Sequence, residues 1–122
     1  MRVLVVDDNE MNRLLATQVL RDRGWDVSEA CGGLEAMMCL ENDRFDAVLL
    51  DVGMPYLGGD ELCRWIRADD RMSALPVIAY TAHVMPNEVR RFLDMGFNHV
   101  IAKPASLDDL VKGIEDHAVA GA

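Results

Sequence analysis

Three carboxylates, one hydroxyl and one ammonium share a feature: each stands one or two residues past a short apolar run. Asp7 and Asp8 come after Val3 to Val6, Asp51 after Ala47 to Leu50, Thr81 after Val77 to Tyr80, and Lys103 after Val100 to Ala102. Runs of this kind read as strands buried on both faces. In a parallel sheet the residues just past the strands share one rim, and ligands bind there. Three acids drawn together repel one another, and one pKa rises unless a cation neutralises them. Hard oxygen donors with water completing the shell suit Mg²⁺. Such a cation attracts a phosphoryl group, whose transfer asks the protein mainly for alignment and charge neutralisation. Asp51 can be the nucleophile, because carboxylates form aspartyl-phosphates. Lys103 can neutralise a phosphoryl oxygen as a point charge. The Thr81 hydroxyl and the backbone N–H of Ala82 can donate hydrogen bonds to the others. Taken singly, Asp51 is a turn cap, Thr81 a strand terminator and Lys103 a surface lysine; the constellation raises them above those readings.

These residues need elements to carry them. The first strand gives way at Asn9, a plausible N-cap, to a helix over 10–23. Its apolar residues Met11, Leu14, Leu15 and Val19 recur at helical spacing, and Gly24 closes it. Trp25 to Ala30 alternates weakly and is polar, as an edge strand is. Leu34 to Glu41 suits a short helix. After the strand ending at Asp51, Gly53 and Pro55 signal a turn and Gly58-Gly59 close the loop. Leu62, Trp65 and Ile66 form the inner face of a third helix. A helix from about Pro86 to Met95 buries Val89, Phe92 and Leu93, and Gly96 stops it. Ser106 and Asp109 cap a last helix whose inner stripe is Leu107, Leu110, Val111 and Ile114. The tail 118–122 has no packing pattern and is expected to fray. Strand and helix alternate five times, which implies an α/β fold: a flavodoxin-like doubly wound (βα)5 with a five-stranded parallel sheet in order 2-1-3-4-5. That order makes the first and third strands neighbours, so Asp7-Asp8 and Asp51 face each other.

The 122 residues fit a single domain over 1–122, with an ordered core over about 1–117. A net charge of −9 argues against a nucleic-acid surface and against an anionic membrane surface. No apolar run approaches membrane-spanning length, and the N-terminus is neither a signal nor a transit peptide. The three cysteines, Cys31, Cys39 and Cys63, have no metal-type spacing, and a reducing cytoplasm is the natural setting. His83, His99 and His117 are likewise unlinked by any metal spacing.

The pieces Val3-Leu4-Val5-Val6-Asp7-Asp8-Asn9, Asp46-Ala47-Val48-Leu49-Leu50-Asp51-Val52-Gly53-Met54-Pro55, Ala79-Tyr80-Thr81-Ala82 and Ile101-Ala102-Lys103-Pro104 occur in this order. Together they resemble the receiver domains of two-component and phosphorelay response regulators, the chemotaxis receivers included. The resemblance covers residues 1 to about 117. It implies that Asp51 is the phosphoacceptor, supplied by a histidine kinase or histidine phosphotransfer protein. It implies that Asp7, Asp8, Asp51 and the Gly53 carbonyl hold Mg²⁺, with Asp8 the closer ligand and Asp7 partly through water. Thr81, Ala82 and Lys103 would bind the phosphoryl group, and the Lys103–Pro104 bond would be cis. In that family an aromatic three residues before the lysine moves inward when the Thr hydroxyl is drawn to the phosphoryl group. Here that position is Val100, so the Thr81-linked switch needs another residue, with Phe97, His99 and Tyr80 as candidates, or backbone movement alone.

The implied function is a cytoplasmic, phosphorylation-dependent switch that changes its protein-binding surface for a downstream protein target. It would act as a stand-alone regulator, monomeric or as a phosphorylation-dependent homodimer, because the chain starts just before the first strand and ends without an effector. A receiver segment of a hybrid kinase or multidomain regulator is the alternative. The other class is an aspartyl-phosphate phosphatase of the haloacid-dehalogenase type, which carries a second Asp two residues past the nucleophile. Gly53 stands there, so the chain is expected to be a self-phosphorylating and autodephosphorylating acceptor and not a turnover enzyme.

Overall fold

A computed structural model describes residues 1–54, 57–82, 86–103 and 105–120. The Lys103–Pro104 bond and His83 therefore lie outside the described residues. The elements are β1 (Arg2–Val6), α1 (Glu10–Asp22), β2 (Asp26–Ala30), α2 (Gly33–Asn42), β3 (Ala47–Leu50), α3 (Gly59–Ala68), β4 (Val77–Thr81), a 3-10 turn (Pro86–Glu88), α4 (Val89–Asp94), β5 (His99–Ala102) and α5 (Leu107–Ala120). All strand pairs are parallel, and the order is β2-β1-β3-β4-β5, as expected. Among the described residues no helix is long and apolar enough to cross a membrane.

Successive strand residues serve opposite faces. Leu4, Val6, Val48, Leu50, Val77 and Ala79 pack with Ala36 and Leu40 of α2, Leu62, Cys63 and Ile66 of α3, and Phe92 of α4. Val3, Val5, Ala47, Leu49, Ile78 and Ile101 pack with Ala16 and Leu20 of α1 and with Leu110 and Ile114 of α5. A fully buried side chain of this size contributes about 1.5–3 kcal/mol. A one-residue slip of β3 would exchange its two faces at once, so burial on both sides sets the register that places Asp51.

Several helix faces differ from the sequence reading. In α1, Met11, Leu14 and Leu15 are 67%, 48% and 59% exposed, and the buried residues are Ala16, Thr17 and Leu20. Those three, with the mostly covered Arg13, also repeat at i, i+3, i+4 and i+7. Small Ala16 and Thr17 let α1 lie close to the sheet, so side-chain size and not apolar count sets the phase. Asn9 caps α1 as expected, accepting from the Asn12 N–H at 3.0 Å. The helix expected from Pro86 opens as a 3-10 turn, and only Phe92 is buried there; Val89 and Leu93 are exposed. The last helix runs on to Ala120, and Ala118, the first residue of the tail expected to fray, packs in the α1/α5 face of the core; positions 121–122 lie outside the described residues.

Arg67 of α3 ties the opposite side of the sheet together. Its Nε donates to Gly96 O at 2.9 Å, one terminal nitrogen to Leu75 O at 2.6 Å and Ser73 O at 3.2 Å, and the other to Asn98 Oδ1 at 2.7 Å. Asn98 Oδ1 also accepts from the Val77 N–H at 2.8 Å. Gly96 lies at φ +112°, and a Cβ there would sit 3.1 Å from Arg67 Cγ, so both backbone and space ask for glycine.

Candidate functional site

The rim forms because β1 and β3 end side by side. The Asp51 N–H donates to Val6 O at 2.9 Å, the Asp7 N–H to Ala30 O at 3.1 Å, and the Lys103 N–H to Thr81 O at 2.8 Å. These bonds level β1 with β2 and β3, and β5 with β4, and the β3–β4 pairing joins the two groups. Asp7 is buried and Asp8 exposed, as the pleat requires of consecutive residues. One carboxylate oxygen from each of Asp7, Asp8 and Asp51 lies within 4.8 Å of the other two.

Two hydrogen bonds hold Asp7. Its Oδ1 accepts from the Asn9 N–H at 2.9 Å and its Oδ2 from Lys103 Nζ at 3.0 Å. The Lys103 ammonium is also 3.9 Å from Asp51 Oδ2, and its side chain is only 11% exposed. Sequence reasoning passed over Arg13, which donates to Asp7 O at 3.0 Å and to Glu29 at 3.2 Å and so braces the turn that carries the acids. Its signal was present: Arg13 is in phase with Ala16, Thr17 and Leu20.

Asp51 Oδ1 accepts from the Gly53 N–H at 3.1 Å. Burial is the main cause that pushes the Asp51 carboxyl from 3.8 up to about 6; the negative charge of Asp7 adds to it, while the Gly53 N–H and Lys103 pull it down. One ammonium thus leaves the three acids underneutralised. The oxygen donor set and this excess negative charge fit a hard divalent cation such as Mg²⁺.

The loop after Asp51 is pressed close by α3. A Cβ on Gly59 would lie 2.7 Å from Asp51 O and 2.7 Å from Val52 Cα. Backbone atoms cannot swing aside as a side-chain tip can. Gly59→Ala is therefore expected to cost about 1–3 kcal/mol and to displace Asp51, despite the higher helix propensity of alanine. Thermal melting and Mg²⁺ titration followed by fluorescence would check this; unchanged melting and unchanged Mg²⁺ affinity would refute it.

Thr81 is buried at the end of β4, and Ala82 is exposed next to it. Val100 is half-buried on the α2–α4 face of the sheet. Phe97 is buried edge-on against Phe92, with centroids 5.8 Å apart and planes at 88°. His99 stacks on His117 of α5 at 4.6 Å, and burial followed by that neighbour lowers its pKa. Tyr80 packs with the α1/α5 face, opposite Val100, and Lys103 Nζ sits 4.8 Å from its ring centroid.

The family model of the response regulator receiver domain matches residues 3–115. The chain belongs to this family. Receiver domains are the phosphoacceptor signalling domains of two-component systems. The chain is 42% identical over 108 residues to the sensor protein GacS of Pseudomonas syringae, covering 86% of this chain and 12% of that protein. It is 31% identical over 115 residues to the polar-differentiation response regulator DivK of Brucella anthropi, covering 94% of each. Among solved structures, CheY4 of Vibrio cholerae aligns with a TM-score of 0.88 at 28% identity, over 94% of this chain and 96% of that one. The receiver domain of the sensor kinase PA1611 of Pseudomonas aeruginosa aligns with a TM-score of 0.88 at 30% identity over 97% of both chains; in that structure a magnesium ion is coordinated in the active site cleft. This chain is thus a receiver whose relatives include both a short regulator and segments of long hybrid sensors.

Proposed function

We propose that Asp51 accepts a phosphoryl group from a phosphohistidine of a kinase or phosphotransfer protein, and that the phosphorylated chain presents an altered surface to a downstream protein. The observation that carries this is the convergence of Asp7, Asp8 and Asp51 at one rim, with the Lys103 ammonium between two of them. A carboxylate oxygen of Asp51 attacks phosphorus, the N–P bond breaks, and its electron pair stays on the leaving imidazole. Asp8, Asp51 and the Gly53 carbonyl would hold Mg²⁺, with Asp7 partly through water. When bound, the ion supplies neutralising charge between the carboxylates and the phosphoryl oxygens. Lys103, the Thr81 hydroxyl and the Ala82 N–H bind the phosphoryl oxygens. Gly53 offers no acid/base side chain, which supports an acceptor role over turnover of small phosphate esters.

The exposed stripe Met11, Leu14 and Leu15 begins just past the acid pair and supports docking of the phosphodonor along α1. Leu15→Glu is expected to slow transfer from a histidine-phosphorylated protein roughly tenfold, in the range of a central apolar contact, and to leave labelling by acetyl phosphate unchanged. Equal slowing with both donors would instead point to damage at the rim. The 3–115 match and the shared sheet support treating residues 1–122 as one receiver unit. The mutual coverage with DivK supports a stand-alone cytoplasmic regulator, while the match to GacS keeps the hybrid-sensor arrangement as the second reading.

Intact-mass measurement after acetyl phosphate and Mg²⁺ tests the acceptor assignment. One added phosphoryl group on the wild type and none on Asp51→Asn is the expected result. Wild-type labelling of Asp51→Asn would sink it.

A further inference from the structure

Tyr80 is the residue of this rim that the proposed chemistry leaves without a role. It stands on β4, opposite Ile101 of β5, and is half-buried against the α1/α5 side of the core. Its neighbour Thr81 ends the same strand at the rim and is nearly fully buried. Lys103 Nζ lies 4.8 Å from the Tyr80 ring centroid, 3.0 Å from Asp7 Oδ2 and 3.9 Å from Asp51 Oδ2. The ammonium is therefore within reach of one aromatic face and two carboxylates. At 11% exposure it has little water to fall back on, and a ring face is worth most to a cation that has lost its water.

This arrangement bears on how Lys103 works. In the present geometry Lys103 bonds to Asp7 at 3.0 Å and stands 3.9 Å from Asp51 Oδ2. The ammonium has three donors, so it can bind a phosphoryl oxygen on Asp51 by shifting toward it, which stretches its bond to Asp7. A carboxylate partner resists that movement through its charge; an aromatic face does not, because its attraction is diffuse and tolerates a shift over the ring. An aliphatic side chain at position 80 would fill the space but offer the ammonium nothing.

We propose that Tyr80 is a positioning residue for Lys103, its ring face holding the ammonium at the rim while the ammonium shifts from the Asp7 carboxylate toward a phosphoryl oxygen on Asp51. The proposal rests on the reading of Asp51 as acceptor, and it gives that site an aromatic partner on β4, facing α5, where the receiver pattern would have one on β5. Val100 cannot serve in this way, because it lies on the other face of the sheet.

Three chains decide the matter: wild type, Tyr80→Phe and Tyr80→Leu. Proton–carbon spectra of the unphosphorylated proteins read the ring-current shift of the Lys103 ε-methylene protons. The shift is expected in wild type and Tyr80→Phe and lost in Tyr80→Leu. Phosphoryl uptake from acetyl phosphate with Mg²⁺ is expected to be roughly three- to tenfold slower in Tyr80→Leu and within about twofold of wild type in Tyr80→Phe. Tyr80→Met, a second non-aromatic filler, replaces the leucine variant if that chain does not fold. The inference is overturned if wild type shows no ring-current shift, if Tyr80→Leu takes up phosphoryl groups at the wild-type rate, or if Tyr80→Phe slows as much as Tyr80→Leu. The spectral test does not depend on Asp51 being the acceptor, whereas labelling of Asp51→Asn does, so the two readings fail separately.

Discussion

Asp51→Asn is expected to abolish phosphoryl uptake and, in the absence of Mg²⁺, to make the fold more stable at neutral pH. Asparagine removes the nucleophilic oxygen but keeps an acceptor for the Gly53 N–H, which lies 3.1 Å from Oδ1 in the parent. The direction of the stability change follows from the carboxyl. Its ordinary value is 3.8, and burial with the Asp7 charge pushes it up to about 6 in the folded chain. A group held above its unfolded value binds its proton more tightly when folded. Its stabilising effect is complete below pH 3.8 and is lost as pH rises through about 6. Above pH 6 the folded chain therefore carries a charge that it would be more stable without. The gain on substitution, discounted for solvent reaching the rim, is about 1–2 kcal/mol. Melting of both chains in chelator at pH 7.5 and at pH 4 would measure it. The gain should be present at the first pH and absent at the second, and saturating Mg²⁺ should narrow it at pH 7.5 by stabilising the parent. A variant less stable than the parent at pH 7.5, or a gain that persists unchanged at pH 4, would contradict the electrostatic account.

Arg67→Leu is expected to be the most damaging single change away from the rim. Leucine keeps the apolar stem but strands Leu75 O and Gly96 O, which the guanidinium now serves at 2.6 and 2.9 Å, and leaves Asn98 Oδ1 with the Val77 N–H alone of its two donors. Hydrogen bonds to a charged donor contribute about 1.5–3 kcal/mol each, and partial exposure of some acceptors holds the total loss to about 3 kcal/mol. In a chain of this size that lowers the melting temperature by roughly 10–15 °C. Arg67→Lys should recover less than half of it, because one ammonium cannot span three acceptors set in a fork. Both variants should still be phosphorylated well below their melting temperatures, since Arg67 acts at the α3–β4 and α4–β5 connections. A melting temperature for Arg67→Leu within 3 °C of the parent, on the same scale of a few degrees per kcal/mol, would show that water replaces the guanidinium at little cost.

Most of the architecture and the candidate rim were legible in the linear sequence because they rest on local pattern. Ala47 to Leu50 is apolar throughout, so it had to be a strand covered on both sides, and its next residue had to emerge at a sheet edge. The same holds for the runs that end at Asp7, Thr81 and Lys103. Parallel pairing then leaves few strand orders, and the polar β2 could only stand at the edge.

Packing between elements was not legible in the same way. Helix α1 carries two stripes at helical spacing, the larger side chains on Met11, Leu14 and Leu15 and the smaller on Ala16 and Thr17. Only burial in the folded chain shows that the smaller stripe goes inside. Ala118 has no packing pattern in the sequence, and its place beside Leu20 and Ile114 comes from the tertiary fold. Arg67 reads as a surface arginine in sequence, yet its acceptors come from residues 73, 75, 96 and 98. Tyr80 reads as the last apolar residue before a threonine, and only the closing of β4 on β5 sets Lys103 over its ring. The sequence by itself determined which groups reach the rim, because strand periodicity and burial act over neighbouring residues. Tertiary structure alone decided what each group touches there, because those contacts join residues far apart in the chain and depend on how closely the helices settle on the sheet.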